Sequence, residues 1–480
     1  MATKMLTFTQ LDRETPEKRT AAERREDFGE IYREYAKAQA EAQASRCSQC
    51  GVPFCQVHCP LGNFIPDWLK LTAENRLQEA YEISASTNTF PEICGRICPQ
   101  DRLCEGNCTI EQSGHGTVTI GSVERFITET AFEEGWVTPR MPLRERAQSV
   151  GIVGAGPAGL AAAEALRADG YKVTVYDRYD RVGGLLIYGI PNFKLEKTVV
   201  QRREALLRAQ GVEFRLNFEV GRDATLDELR GKHDAVLVAA GVYEARPLRV
   251  PGVGAKNVVA ALDYLTSSNK RGLGDAVEAE GLDASGKRVV VIGGGDTAMD
   301  CVRTAVRQGA SAVTCLYRRD RANMPGSQRE VAHAEEEGVV FEWLAAPQSF
   351  DAGRSQKLKA VRAHRMHLGI ADSSGRQTPE PLDGGEFSLD ADLAILALGF
   401  DPEDFATGLG AIELRTSRWG TVLVDHKSMM SNLDGVFAAG DAVRGASLVV
   451  WAIKDGRDAA ESIRRYLENK AADQLAAAAE

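Results

Sequence analysis

Long apolar runs are missing from this chain of 480 residues. No segment approaches the ~18 residues a bilayer-spanning helix needs. The opening, MATKMLTFTQLDRE, lacks the apolar stretch of a secretory leader, so a cytoplasmic protein is expected. Positive charge is not in excess. The 58 Lys and Arg face 68 Asp and Glu, a net charge of −10, which argues against nucleic acid or a membrane surface as partner. No HExxH metal motif, no nucleophile elbow and no repeat of roughly 20–50 residues occurs.

Cysteine, by contrast, is concentrated. Of ten cysteines, eight lie between Cys47 and Cys108, and only Cys301 and Cys315 lie outside. A disulfide framework belongs to short exported domains, so metal binding is the better reading. The spacing is C-x2-C-x4-C-x3-C for Cys47, Cys50, Cys55 and Cys59, then C-x3-C-x5-C-x3-C for Cys94, Cys98, Cys104 and Cys108. Structural zinc usually takes two C-x2-C pairs, and only one is present. Cys59-Pro60 and Cys98-Pro99 resemble the Cys-Pro ends of ferredoxin runs. Two 4Fe–4S clusters are therefore expected rather than zinc. Cys301 and Cys315 read as buried packing residues.

Around this field the chain divides. Residues 21–43 are rich in charge and helix formers and read as a solvated helix packing by one face. WLKLTAENRLQEAYEISAST reads as one helix, VERFITETAFEEG as another, and PRMPLRERA as a linker.

At Ser149 the pattern changes to apolar strand, glycine turn and alanine-rich helix. In Gly154-Ala155-Gly156-Pro157-Ala158-Gly159 the first glycine permits the turn. The second lets the backbone approach a pyrophosphate, and the third lets helix and strand pack closely. Asp177 ends the next strand, eighteen residues after Gly159, where a carboxylate would bind ribose hydroxyls, with Arg178 beside it. Three pieces favour flavin adenine dinucleotide (FAD) here. A second glycine turn holds Gly184 and Leu185. A strand ends at Gly241, and VFAAGD places Gly440 and Asp441 ahead of a helix whose positive end could face the flavin.

A second opening of this kind is Gly293-Gly294-Gly295-Asp296-Thr297-Ala298, spaced GxGxxA, and Gly293, Gly295, Asp296, Thr297 and Ala298 are its candidate contacts. Its following strand ends in Arg318-Arg319, where sites for unphosphorylated nicotinamide cofactors usually carry a carboxylate. Two guanidiniums bind a 2′-phosphate instead, which implies NADPH.

No C-x2-C or C-x4-C dithiol lies in the flavin part, so disulfide reduction is not expected. Hydride transfer is carried by the cofactors, and no protein general base is expected. The fold expected is α/β. Two Rossmann-like dinucleotide-binding domains, for FAD and NADPH, are arranged as in adrenodoxin and glutathione reductases and follow an α-helical iron–sulfur domain. The expected bounds are 1–145 for the cluster domain, 146–285 and 401–480 for the FAD domain, and 286–400 for the NADPH domain.

The motifs CSQCGVPFCQVHCPLGNFIPDW, FPEICGRICPQDRLCEGNC, VGIVGAGPAGL, GGLLIYGIPNFKL, VVVIGGGDTAMDC, LYRRDRANMPG and VFAAGDAVRGASLVVWAIKDGR together resemble one family. It is the small (β) subunits of bacterial NADPH-dependent glutamate synthases, and the resemblance runs over essentially the whole length. The same module is similar to the electron-input part of dihydropyrimidine dehydrogenase and to subunits of NADPH–ferredoxin oxidoreductases. The resemblance implies interleaved clusters. Cys47, Cys50, Cys55 and Cys108 would hold one. Cys59, Cys98 and Cys104 would hold the other, with Glu124 as fourth ligand and Cys94 spare, although spacing alone favours Cys94. It also implies a large-subunit partner carrying FMN, which makes glutamate from glutamine and 2-oxoglutarate, in a hetero-oligomer. The rival readings are the input subunit of a dihydropyrimidine dehydrogenase or ferredoxin oxidoreductase, and a non-catalytic scaffold stabilised by zinc.

Overall fold

The computed structural model describes residues 5–277, 282–373 and 375–479. Two parallel five-stranded sheets organise it. The first runs in the order Val436–Ala438, Ala235–Val238, Ser149–Val153, Lys172–Tyr176, Glu213–Arg215. Its central strand pairs Val150 with Val173 on one side and with Ala235 on the other. Helices Pro157–Ala168 and Val449–Ala479 pack against each other beside this sheet. Val150, Ile152, Val236 and Leu237 are all fully buried. That two-sided burial is why these strands read as continuous apolar runs.

The second sheet runs Val258–Ala260, Leu393–Leu396, Arg288–Ile292, Ala312–Tyr317, Val340–Trp343. An antiparallel sheet of Ala345–Ala352, Leu358–Ala371 and Gln377–Asp390 is inserted before its strand Leu393–Leu396. The two parallel sheets communicate through a short pair in which Ala245 faces Phe400 and Glu244 faces Asp401. This pair marks the crossings between domains, and it corrects the expected boundary at residue 285. Val258–Ala260 and the helix after it, Ala261–Gly272, belong to the second domain, because Val258 pairs with Ala394. A three-residue edge strand without a glycine turn leaves no sequence signal of its own.

The cysteine-bearing domain is helical. Lys37–Ser45, Ile65–Ala73, Leu77–Thr87, Pro91–Ile97 and Ile120–Glu133 are its main helices, and Trp68 is wholly buried among them. Two expectations change here. The segment expected as one helix after Trp68 breaks at Asn75, whose φ of 61° leaves the helical region. Residues 21–43 are not one solvated helix either. Helix Ala21–Glu26 is followed by non-helical chain to Ala36, and Lys18 bridges to Tyr32. Charged side chains with buried partners decide this. Arg24 is 1% exposed, and Glu30 pairs with Arg96 and Arg125. No helix among the described residues is long and apolar enough to cross a membrane.

Candidate functional site

A cavity of about 610 Å³ lies where the three domains meet. Gly154, Gly156, Pro157, Ala158, Asp177, Leu185, Gly241 and Asp441 line it from the first parallel domain. Asp296, Thr297 and Asp300 line it from the second, and Cys98 with Pro99 from the cysteine-bearing domain.

The first glycine turn is built for close approach. Gly154 has φ 109°, and a Cβ there would lie 2.3 Å from the Ala239 carbonyl oxygen. Gly159 fits just as tightly against the Gly154 carbonyl, whereas a Cβ on Gly156 would meet no atom within 4 Å. That open space beside a helix N-terminus suits a pyrophosphate. Asp177 accepts from the Ala155 N–H at 2.6 Å and the Tyr179 N–H at 2.8 Å, so it anchors the turn while facing the cavity. Burial pushes its carboxyl above the usual range.

Gly184 packs its turn on Gly156. Gly440 sits against Ala158, and Asp441 accepts from the Ser447 hydroxyl at 2.6 Å. A second void of about 150 Å³ opens beside Asp177, walled by Arg178, Tyr179, Tyr243 and Glu403. Arg178 pairs with Glu403 at 2.9 Å and lies over the Tyr243 ring. Tyr243 and Glu403 carried no sequence signal, because they come from the two crossing segments. Flat aromatic walls next to the Asp177 carboxylate fit an adenosine.

The second turn repeats the first. A Cβ on Gly293 would lie 2.2 Å from the Ala397 carbonyl oxygen, while one on Gly295 would meet nothing within 4 Å. Ala298 is buried at the helix start. Arg318 is exposed and Arg319 half-buried at the end of Ala312–Tyr317. Arg319 Nε is buried and has no hydrogen-bond partner among the described residues. An orphaned guanidinium donor fits an anion.

The cysteines fall into two groups. Cys47, Cys50, Cys55 and Cys108 line one small void of about 20 Å³. The N–H and side-chain amide of Gln49 donate to Cys47 Sγ at 3.5 and 3.3 Å. Burial pushes the Cys47 thiol up to about 11 and Cys55 to about 12, so thiolates here need a cationic partner. Cys59, Cys94, Cys98, Cys104 and Glu124 are mutual electrostatic neighbours.

Glu124 is buried, which pushes its carboxyl up to about 8. Its Oε1 accepts from Asn63, Ser84 and Asn88, and its other oxygen accepts no hydrogen bond among the described residues. Cys94 lies beside Cys98, with its thiol directed at Asn88 Oδ1, 3.8 Å away. No three His, Cys, Asp or Glu side chains among the described residues are spaced to hold a single metal ion. Cys301 and Cys315 are both fully buried.

Residues 24–136 match the family described as dihydropyrimidine dehydrogenase domain II, 4Fe-4S cluster. Residues 148–456 match the pyridine nucleotide-disulphide oxidoreductase family. A glutamate synthase (NADPH) small chain of Azospirillum brasilense is 66% identical over 480 residues, covering 99% of each chain. The chain belongs to the glutamate synthase (NADPH) small-chain family.

Its Escherichia coli K12 relative in that family is 45% identical over 474 residues, covering 98% of this chain and all of the other. Among solved structures, Mycobacterium tuberculosis FprA in complex with NADPH superposes with a TM-score of 0.57 at 21% identity. It covers 69% of this chain and 89% of that one, a likeness of fold. A small chain of this family is an NADPH-dependent oxidoreductase that serves as the electron-input subunit, and its redox groups include FAD and a 4Fe–4S cluster.

Proposed function

We propose that this chain oxidises NADPH at FAD and delivers the electrons through two 4Fe–4S clusters to a large subunit. There an FMN supports the synthesis of L-glutamate from L-glutamine and 2-oxoglutarate. The observation that carries the reading is a cavity shared by the first glycine turn, by Asp296 and Thr297 at the helix start after the second turn, and by Cys98. When bound, FAD would supply the link between two-electron hydride chemistry with nicotinamide and one-electron transfer to iron–sulfur centres.

The chain's own residues hold these groups. Gly154, Gly156 and the helix after them receive the FAD pyrophosphate, Asp177 its ribose, and Asp441 its ribityl side. Gly293, Gly295 and Thr297 receive NADPH, with Arg318 and Arg319 on its 2′-phosphate. Cys47, Cys50, Cys55 and Cys108 hold one cluster. Cys59, Cys98, Cys104 and Glu124 hold the other, a choice supported by the free oxygen of Glu124. A cytoplasmic hetero-oligomer is the setting that fits this role.

The test mixes the purified chain with a candidate large subunit. NADPH oxidation is expected to require both glutamine and 2-oxoglutarate. Oxidation set off instead by a pyrimidine or by ferredoxin overturns the glutamate assignment.

A further inference from the structure

At the start of helix Asp296–Arg307 the chain places a carboxylate where a diphosphate needs donors. Gly295 borders open space, and Asp296 lines the cavity. An uncompensated Asp296 would repel the incoming phosphates. One of its oxygens accepts from the Ser327 N–H at 2.9 Å, and the other pairs with Arg102 at 2.9 Å. Arg102 comes from the cysteine-bearing domain, between Cys98 and Cys104.

The turn that carries Arg102, Gln100–Arg102, is seated firmly on the second domain. Arg329 donates to Gln100 Oε1 at 2.7 Å, and the Ser327 hydroxyl lies 3.0 and 3.1 Å from the two oxygens of Asp101. Arg102 itself donates to the Pro325 carbonyl. Its side chain is nevertheless 38% exposed, and its Nε donates to nothing among the described residues. The guanidinium is thus tethered at the helix N-terminus with donors to spare, and it can meet an anion without breaking a buried bond.

We propose that Arg102 is a phosphate-binding residue of the NADPH site, supplied by the cluster domain to neutralise Asp296 and contact the pyrophosphate. This rests on reading the second glycine turn as the NADPH cradle. In geometry it is a charge-assisted contact from a separate domain, distinct from the Arg318–Arg319 pair at the far end of the cofactor. It also couples the two domains, because the turn between two candidate cluster ligands completes the dinucleotide site.

The experiment titrates the oxidised holoprotein calorimetrically with two probes. NADP⁺ carries the pyrophosphate, and 2′-AMP lacks it while keeping the 2′-phosphate. Arg102→Gln is expected to weaken NADP⁺ about tenfold and leave 2′-AMP unchanged. Arg102→Lys, which keeps the charge, is expected to stay within about threefold of wild type. Unchanged NADP⁺ affinity in Arg102→Gln overturns the proposal. So does an equal loss for both probes, or an equal loss in the Lys and Gln variants, since either reports only a disturbed domain seat. Failure of the wild-type protein to bind NADP⁺ would instead sink the reading of the cradle.

Discussion

Arg318 and Arg319 pair with no carboxylate among the described residues, and a buried Nε of Arg319 lacks any partner. Guanidiniums left in that state gain most from a phosphate. Replacing both with alanine is expected to raise the KM for NADPH on the order of tenfold while leaving NADH nearly unchanged. Steady-state kinetics with the two cofactors checks this, and equal effects on both would refute the 2′-phosphate role. The proposed cluster ligand Glu124 also rests on residue-scale contacts. Among the described residues three donors hold one oxygen of Glu124 and none holds the other, whereas the Cys94 thiol contacts both Asn88 and Cys98. Glu124→Ala is therefore expected to lower iron and acid-labile sulfide to about half, and Cys94→Ser to keep both. Loss of a cluster in the serine variant alone would reverse the assignment.

Among the elements, the two strand–turn–helix units are the proposed cofactor cradles, and their glycines do different work. Gly154 is fixed by the protein itself. Its φ of 109° and the Ala239 carbonyl 2.3 Å from any Cβ leave no room for a side chain. Gly154→Ala is expected to cost about 3 kcal/mol and lower the melting temperature of flavin-free protein. A Cβ on Gly156 would meet nothing within 4 Å, so the proposed pyrophosphate, not the protein, would need that space. Gly156→Ala should leave the melting temperature of the flavin-free protein in place yet reduce the flavin retained. Thermal scans and bound-flavin absorbance separate the two cases. A strong loss of stability in Gly156→Ala would mean the space belongs to the protein.

Across the whole molecule, an ion-pair knot ties the N-terminal arm to the second domain. Glu337 takes Arg303, Arg307 and Arg24 at 2.9, 2.6 and 3.0 Å, and it is 1% exposed. Glu337→Gln leaves Arg307 without a carboxylate partner among the described residues, while Arg303 keeps Glu330 and Arg24 keeps Glu336, and it is expected to cost about 3 kcal/mol, read from urea midpoints. Burial raises the Glu337 carboxyl, but the arginines outweigh it and hold it down at about 2. A lowered carboxyl stabilises the fold fully above its ordinary value near 4.5 and loses that contribution as pH falls towards 2. The stability gap between wild type and Glu337→Gln is therefore expected to be widest at neutral pH and to close below about pH 4.5. A gap that stays constant with pH would exclude the carboxylate as its source.

The sequence by itself determined the parts whose signals are local. Each candidate dinucleotide cradle is a strand, a glycine turn and a helix within some thirty residues, so the turns at Gly154 and Gly293 could be read from spacing. The cysteine field was equally legible as a metal-binding stretch. Tertiary structure alone decided what depends on residues far apart in the chain. It joined Cys108 to Cys47, moved Val258–Ala260 into the second sheet, and unwound the arm so that Arg24 could reach Glu337. It also brought Arg102 to Asp296 across 194 residues. The physical reason is common to these cases. Turn geometry and amphipathic spacing act over one or two elements, whereas burial of a charge or closure of a cavity is satisfied only when distant segments supply the partner.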